Sequence, residues 1–272
     1  MRLLSLFALL PVVGSLPLPA APPVPALPRA HAHNDYEHPR PLLDALDQGF
    51  TSVEADVHLV DGHLLVAHDR DQVRSGRTLE ALYLDPLAER VRTNGGAVYD
   101  RSAPFTLWVD IKADPEGSYA ALRPLLERHQ DLLTRFTDTN RTPGAVTVIL
   151  SGARPTATVR GEAVRWCALD GRLPDLDANP SPFLYPVVSD NWRPTFSWFR
   201  DQRLPEADRR RLRDLVRRAH EQGRQIRFWG VQDEPFAWRE LRDAGVDLIN
   251  TDRLADLRAF LLQPPPRRGS GE

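Results

Sequence analysis

Between residues 26 and 250 the apolar positions fall into eight short blocks, separated by longer stretches with a helical rhythm. The blocks are rich in β-branched and aromatic residues, which predicts strands. They run Ala26–His31, Thr51–Val57, Phe105–Ile111, Ala145–Leu150, Ala163–Leu169, Leu184–Ser189, Gln225–Gly230 and Val246–Asn250. A further short strand, Leu64–Ala67, is expected to fold back on the second block, because Asp61-Gly62 between them is a turn signal. Helices are expected at Pro41–Gln48, Leu79–Arg92, Tyr119–Leu133, Glu206–Gln222, Phe236–Ala244 and Arg253–Leu262. The proline-rich stretch from Leu173 to Pro186 carries no helical pattern. Strands alternating with helices predict the α/β class and a single TIM-type (β/α)8 barrel. The reactive face of such a barrel lies at the C-terminal ends of its strands.

The two ends of the chain read differently. Met1-Arg2 precedes an apolar run from Leu3 and then small residues and prolines. That is the layout of a secretory signal, expected over residues 1–21, and it predicts a secreted or periplasmic protein. The run is short and proline-broken for a membrane span. Residues 22–28 form a proline-rich leader, residues 29–262 the barrel, and residues 263–272 a polar tail expected to be disordered.

Composition narrows the chemistry. A net charge of −2 gives no reason to expect nucleic acid as a partner. A single cysteine, Cys167, removes disulfide frameworks and cysteine-built metal clusters. The acids and histidines are unevenly spread. Six of the eight histidines lie between residues 31 and 68, so that segment is where proton chemistry is sought. The second strand reads Val53-Glu54-Ala55-Asp56-Val57, two acids at i and i+2 in an otherwise apolar block. They share one face of the strand, and unpaired acids are costly inside a barrel. Asp110 repeats the oddity in Leu107-Trp108-Val109-Asp110-Ile111. Three carboxylates from neighbouring strands suit one hard divalent cation, Mg²⁺ or Ca²⁺.

His31, His33 and His68 stand closest to these acids in the predicted topology, with Asn34 beside them. His38, His58 and His63 are expected to be peripheral, and His129 and His220 structural. Lys112 is the only lysine in a chain that otherwise uses arginine. Its compact ammonium beside Asp110 fits a phosphate contact. Trp229 and Asn250 end the seventh and eighth strands and are candidates for substrate binding.

These residues resemble the superfamily of glycerophosphodiester phosphodiesterases and phosphatidylinositol-specific phospholipases C. A histidine after strand one, then E-x-D, a turn and H-D is matched by His31 or His33, Glu54, Asp56, Asp61-Gly62 and His68-Asp69. The opening HAHNDY is similar to the subgroup of altered inheritance of mitochondria protein 6. Val109-Asp110-Ile111-Lys112 and the run containing Trp229 and Asn250 are similar to the sphingomyelinase D branch. The resemblance implies a (β/α)8 barrel and a phosphoric diester hydrolase. It implies a metal on Glu54, Asp56 and Asp110, and His31 with His68 as general acid and base. Of the two early histidines, His31 is favoured because it follows the strand directly, with His33 close behind. The chain departs from the usual glycerophosphodiesterase pattern, having HAHNDY in place of H-R-G and no P-E-N-T.

The expected substrate is a glycerophosphodiester or a phospholipid-like diester, acted on by a monomer with at most transient membrane contact. The aromatic loop Asn191 to Phe199 is either a rim element that touches a membrane or substrate tail or a cap on the barrel bottom, the cap being favoured. The alternative is a secreted barrel that binds phosphate or lipid without turnover. A metal-dependent amidohydrolase needs histidines at later strand ends, and this chain places none there.

Overall fold

In a computed structural model the described residues are 24–99, 103–198 and 201–263. The expected signal segment, Phe199 and nearly all of the polar tail lie outside them. The leading strand β1 (Leu27–Ala32) is followed by α1 (Leu43–Asp47) and by β2 (Phe50–Val60). β2 turns through Asp61 and Gly62 into the antiparallel β3 (His63–Val66). Both turn residues have positive φ, as a two-residue hairpin requires. Then come α2 (Asp85–Thr93), β4 (Phe105–Ile111), α3 (Pro115–Arg128) and a small hairpin of β5 (Arg135–Phe136) with β6 (Arg141–Thr142). The chain continues through β7 (Val146–Gly152), α4 (Thr156–Gly161), β8 (Ala168–Gly171), α5 (Asp175–Ala178), β9 (Val187–Asn191), α6 (Trp192–Thr195) and α7 (Glu206–Glu221). It ends with β10 (Gln225–Trp229), α8 (Pro235–Ala244), β11 (Ile249–Thr251) and α9 (Leu254–Leu262).

Eight of these strands are parallel neighbours in the order β10-β9-β8-β7-β4-β2-β1-β11. A parallel bridge between Arg227 and Leu248 brings the two edges together. The chain is therefore a nearly closed (β/α)8 barrel, as the alternation of elements predicts. Alternate strand residues split into two cores. Val53, Ala55, Val57, Leu107, Val109, Ile111, Val148 and Leu150 belong to the large cluster shared with the helices. Trp108, Ile149, Ala168, Val187 and Leu248 form a small separate cluster inside the barrel, joined by Phe136.

Four local expectations need correction. The fifth strand begins at Ala168 and not at Ala163. Arg165 is wholly buried, and its guanidinium donates to Asp138, to the Glu162 carbonyl and to the Thr137 carbonyl, so this segment pairs with β5 instead. The helix expected from Leu79 is a π-type turn, Glu80–Leu84, followed by α2, with Pro86 at the start of α2; proline lacks the N–H an unbroken helix needs there. The helix expected from Tyr119 begins four residues earlier, at Pro115, where the Asp114 side chain caps the Gly117 N–H. One helical turn, α5, lies in the proline-rich stretch. Among the described residues no helix is long and apolar enough to cross a membrane.

Candidate active site

The site grows out of the register of three adjacent strands. Asp56 on β2 stands opposite Asp110 on β4, and Asp110 stands opposite Ser151 on β7. Glu54 lies two residues below Asp56 on the same face. One oxygen from each of Glu54, Asp56 and Asp110 lies within 4.8 Å of the others. Ser151 Oγ donates to Asp110 Oδ2 at 2.9 Å. Gly152 has a φ of 67°, and a Cβ there would stand 2.6 Å from Asp110 Oδ1, so a side chain would displace the carboxylate.

Cations hold the acids apart. The Lys112 ammonium lies 2.6 Å from Asp56 Oδ2 and 3.1 Å from Asp110 Oδ1. Burial opposes its charge, but the two carboxylates outweigh that and raise its pKa. Arg227, on β10, lies 3.0 Å from Glu54 Oε2. Burial also opposes the charge on Glu54, yet Arg227 and then His31 hold its carboxyl well below the usual range. Burial and the neighbouring Glu54 push the Asp56 carboxyl up. Asp56 Oδ1 is buried and has no hydrogen-bond partner. Three hard oxygen donors, one of them unpartnered, fit a Mg²⁺ or Ca²⁺ ion. A second group, Glu80, Asp85 and His129, also comes close enough for a metal. There His129 bonds the Leu125 carbonyl and Asp85, and Arg128 neutralises Glu80, as a structural surface cluster does.

The histidines separate into two kinds. His68 follows β3, and its side chain is 47% exposed. Its Nδ1 lies 3.0 Å from Asp56 Oδ2, and its Nε2 makes no hydrogen bond. His33 lies just past β1, its N–H donating to the Thr251 carbonyl. Its side chain is 34% exposed, and its Nδ1 lies 2.8 Å from Asp252 Oδ1, again leaving Nε2 without a partner. Burial opposes a charge on His33, but the Asp252 hydrogen bond together with the Glu54 and Asp252 charges outweighs it and raises the pKa.

His31 is fully buried and has both ring nitrogens engaged. Nδ1 lies 2.7 Å from Ser52 Oγ, and Nε2 lies 3.0 Å from Glu54 Oε2 and 2.6 Å from Arg227 Nη1. Burial, with the Arg227 charge, lowers its pKa to about 4. Both His31 ring nitrogens are thus engaged by protein groups, whereas His33 keeps its ring at the mouth.

Other expected residues also find their places. Asn34 adopts a left-handed backbone (φ 47°), and its side-chain amide lies 2.9 Å from the Tyr36 hydroxyl. It thus orients Tyr36, whose hydroxyl lies 2.6 Å from Asp56 Oδ2 and 3.1 Å from His68 Nδ1. Trp229 is 36% exposed at the end of β10, two residues above Arg227 on the same face. Asn250 lines a small pocket with His33, Gly230 and Asp252, and its amide atoms have no hydrogen-bond partner. His58 is not peripheral: it is buried, with Nε2 3.2 Å from the His68 carbonyl. Arg227, Ser52, Trp108, Tyr36 and Asp252 were not anticipated. Arg227 carried the same signal as Glu54, a charge inside an apolar block. A cavity of about 560 Å³ opens at the opposite end of the barrel, lined by Thr51, Thr106, Thr147 and Arg224; it holds none of the clustered acids.

The fold and the family matches place the chain among the glycerophosphodiesterase-like proteins. The fold is similar to that of a glycerophosphodiester phosphodiesterase from Parabacteroides distasonis (16% identity, 86% of this chain and 96% of that one, TM-score 0.52). It is also similar to a calcium-dependent phosphoinositol-specific phospholipase C from Pseudomonas (16% identity, 84% and 89%, TM-score 0.59). Residues 24–166 match the AIM6-like phosphodiesterase domain, and residues 225–255 match the glycerophosphoryl diester phosphodiesterase family. The altered inheritance of mitochondria protein 6 homolog of Arthroderma benhamiae is 31% identical over 254 residues, covering 82% of this chain and 80% of that protein. Altered inheritance of mitochondria protein 6 of Lachancea thermotolerans is 29% identical over 293 residues, covering 90% and 68%. The chain belongs to the family of AIM6-like phosphodiesterase domains.

Proposed function

We propose that this chain is a divalent-cation-dependent phosphodiesterase in which His33 and His68 move the protons. One observation carries the reading. Each of these histidines has Nδ1 held by an aspartate and a free Nε2, and the Glu54, Asp56 and Asp110 oxygens are clustered beside them. An aspartate on Nδ1 orients the ring. Glu54, Asp56 and Asp110 would hold the cation. When bound, a divalent ion supplies charge neutralisation at a non-bridging phosphate oxygen.

The remaining steps belong to the protein. One histidine takes the proton of the attacking hydroxyl, which is water or a hydroxyl of the substrate itself. The other gives its proton to the leaving oxygen. Lys112, a quarter exposed, directs its ammonium at the phosphate from its place between Asp56 and Asp110. Tyr36 donates to Asp56 and so fixes the carboxylate against which His68 is oriented. Asn250 and Trp229 border the mouth beside His33 and contact the rest of a small-molecule or lipid diester.

Hydrolysis of bis(p-nitrophenyl) phosphate tests the reading. Nitrophenol release that stops with EDTA, returns with Mg²⁺ or Ca²⁺ and is lost in Glu54→Ala is the expected result. Cation binding without turnover of this or any lipid or glycerol diester would leave a binding barrel instead.

A further inference from the structure

A carboxylate that is 6% exposed inside a barrel keeps one orientation only when partners hold it. For Glu54 those partners are Arg227 and His31, and the Arg227 Nε is buried without a hydrogen-bond partner among the described residues. Arg227 is 3% exposed. Its Nη1 lies 3.0 Å from Glu54 Oε2 and 2.6 Å from His31 Nε2. Its guanidinium lies 4.0 Å over the Trp108 ring, a stacked cation–π contact. His31 Nδ1 lies 2.7 Å from Ser52 Oγ, and Trp108 Nε1 donates to that same oxygen at 3.1 Å. His31 Nε2 also lies 3.0 Å from Glu54 Oε2, so Arg227 and His31 converge on that one oxygen. Among the described residues both hydrogen bonds to Glu54 fall on Oε2 and none on Oε1.

We propose that Arg227 is the positioning residue of the cation centre: it claims Oε2 of Glu54, so that the carboxylate presents Oε1 alone. This rests on the cation-dependent reading above and adds to it the coordination mode of Glu54 and the job of His31. His31, Ser52 and Trp108 form the frame that fixes the guanidinium. The planar fork is essential to the arrangement, because an ammonium cannot both bond Glu54 and His31 and lie flat on an indole.

The test is Mn²⁺ affinity of the full chain, read from water-proton relaxation at constant pH. Wild type binds, and Glu54→Gln loses most of that binding. Arg227→Ala weakens binding by about 10–100-fold, the usual cost of losing a partner that orients a ligand. Methylguanidinium added to Arg227→Ala restores affinity, and methylammonium does not. Arg227→Lys keeps the charge and remains weakened; it also carries the test if the alanine variant fails to fold. Wild-type affinity in Arg227→Lys would reduce the role to charge and overturn the proposal. So would unchanged affinity in Arg227→Ala while Glu54→Gln still loses binding, and that result would spare the cation reading. No Mn²⁺ binding by wild type would overturn both.

Discussion

The two faces of β2 and β4 differ more than any two helices of the molecule do. The outward face carries Val53, Ala55, Val57, Leu107, Val109 and Ile111, all buried under helices. The inward face, one residue out of step, carries Ser52, Glu54, Asp56, Trp108 and Asp110. Outside, stability comes from apolar area removed from water. Inside, near the mouth, charge is buried and must be matched atom for atom. Arg227 matches Glu54, and Lys112 matches Asp56 and Asp110. Such pairs are weak evidence for stability, because desolvation offsets most of their attraction. What the inward face gains is orientation. The same strands therefore serve two separable purposes, and substitutions should separate them.

The largest separation is expected at the mouth. His33→Ala and His68→Ala should each lower kcat on bis(p-nitrophenyl) phosphate by about 10²–10⁴, the range for losing a general acid or base. Both side chains are part-exposed, so stability should change by no more than about 0.5 kcal/mol. His31→Ala should do the reverse in kind. It leaves Arg227 with Glu54 alone and Ser52 with Trp108 alone beside an interior void, at about 1–3 kcal/mol for each lost partner. Thermal melts beside single-turnover rates check this. If His31→Ala lost its turnover at unchanged melting temperature while His33→Ala kept its own, His31 would be the proton carrier after all.

The outward face should break the other way. Leu107→Ala removes a fully buried side chain from between the sheet and the helices. Truncations of this kind cost about 2–5 kcal/mol. Activity per folded molecule should stay at the wild-type value below the melting transition. A drop in kcat at full folding would show that the two faces are coupled through the strand.

Much of the architecture was legible because it is local. Period-two blocks, helical stretches and the Asp61-Gly62 turn need no distant partner to be read. The acids of β2 and β4 were legible for the opposite reason: they violate the apolar pattern around them. Arg227 violates it equally and went unread, since its meaning depends on Glu54, far away in sequence. The start of β8 was misplaced for the same cause, because Arg165 is drawn off to Asp138 and the β5 segment. The choice between His31 and His33 could not be made from spacing. Two positions apart on a strand share a face, but β1 stops at Ala32, and only contacts across the barrel show which ring is walled in.

The smallest effect concerns a second buried carboxylate, Asp35, which sharpens the contrast with Glu54. Asp35 is fully buried in the turn after β1. It accepts from the Leu42 N–H at 2.5 Å and the Tyr83 hydroxyl at 2.9 Å, while Oδ1 has no partner. No arginine or lysine forms an ion pair with it among the described residues. Burial outweighs the two hydrogen bonds and pushes its pKa up to about 6. A carboxyl with a raised folded-state value favours the fold when protonated. That contribution is full below about pH 4 and is lost as pH rises through about 6, amounting to roughly 2–3 kcal/mol. Asparagine can accept the same two hydrogen bonds and never ionises. Asp35→Asn should therefore gain stability relative to wild type between pH 4 and pH 7, by a few degrees in melting temperature. Urea titrations at both pH values measure the difference. An equal offset at both would mean that Asp35 is not held in its protonated form, and that hydrogen bonds alone suffice to bury a charge that Glu54 keeps only with Arg227.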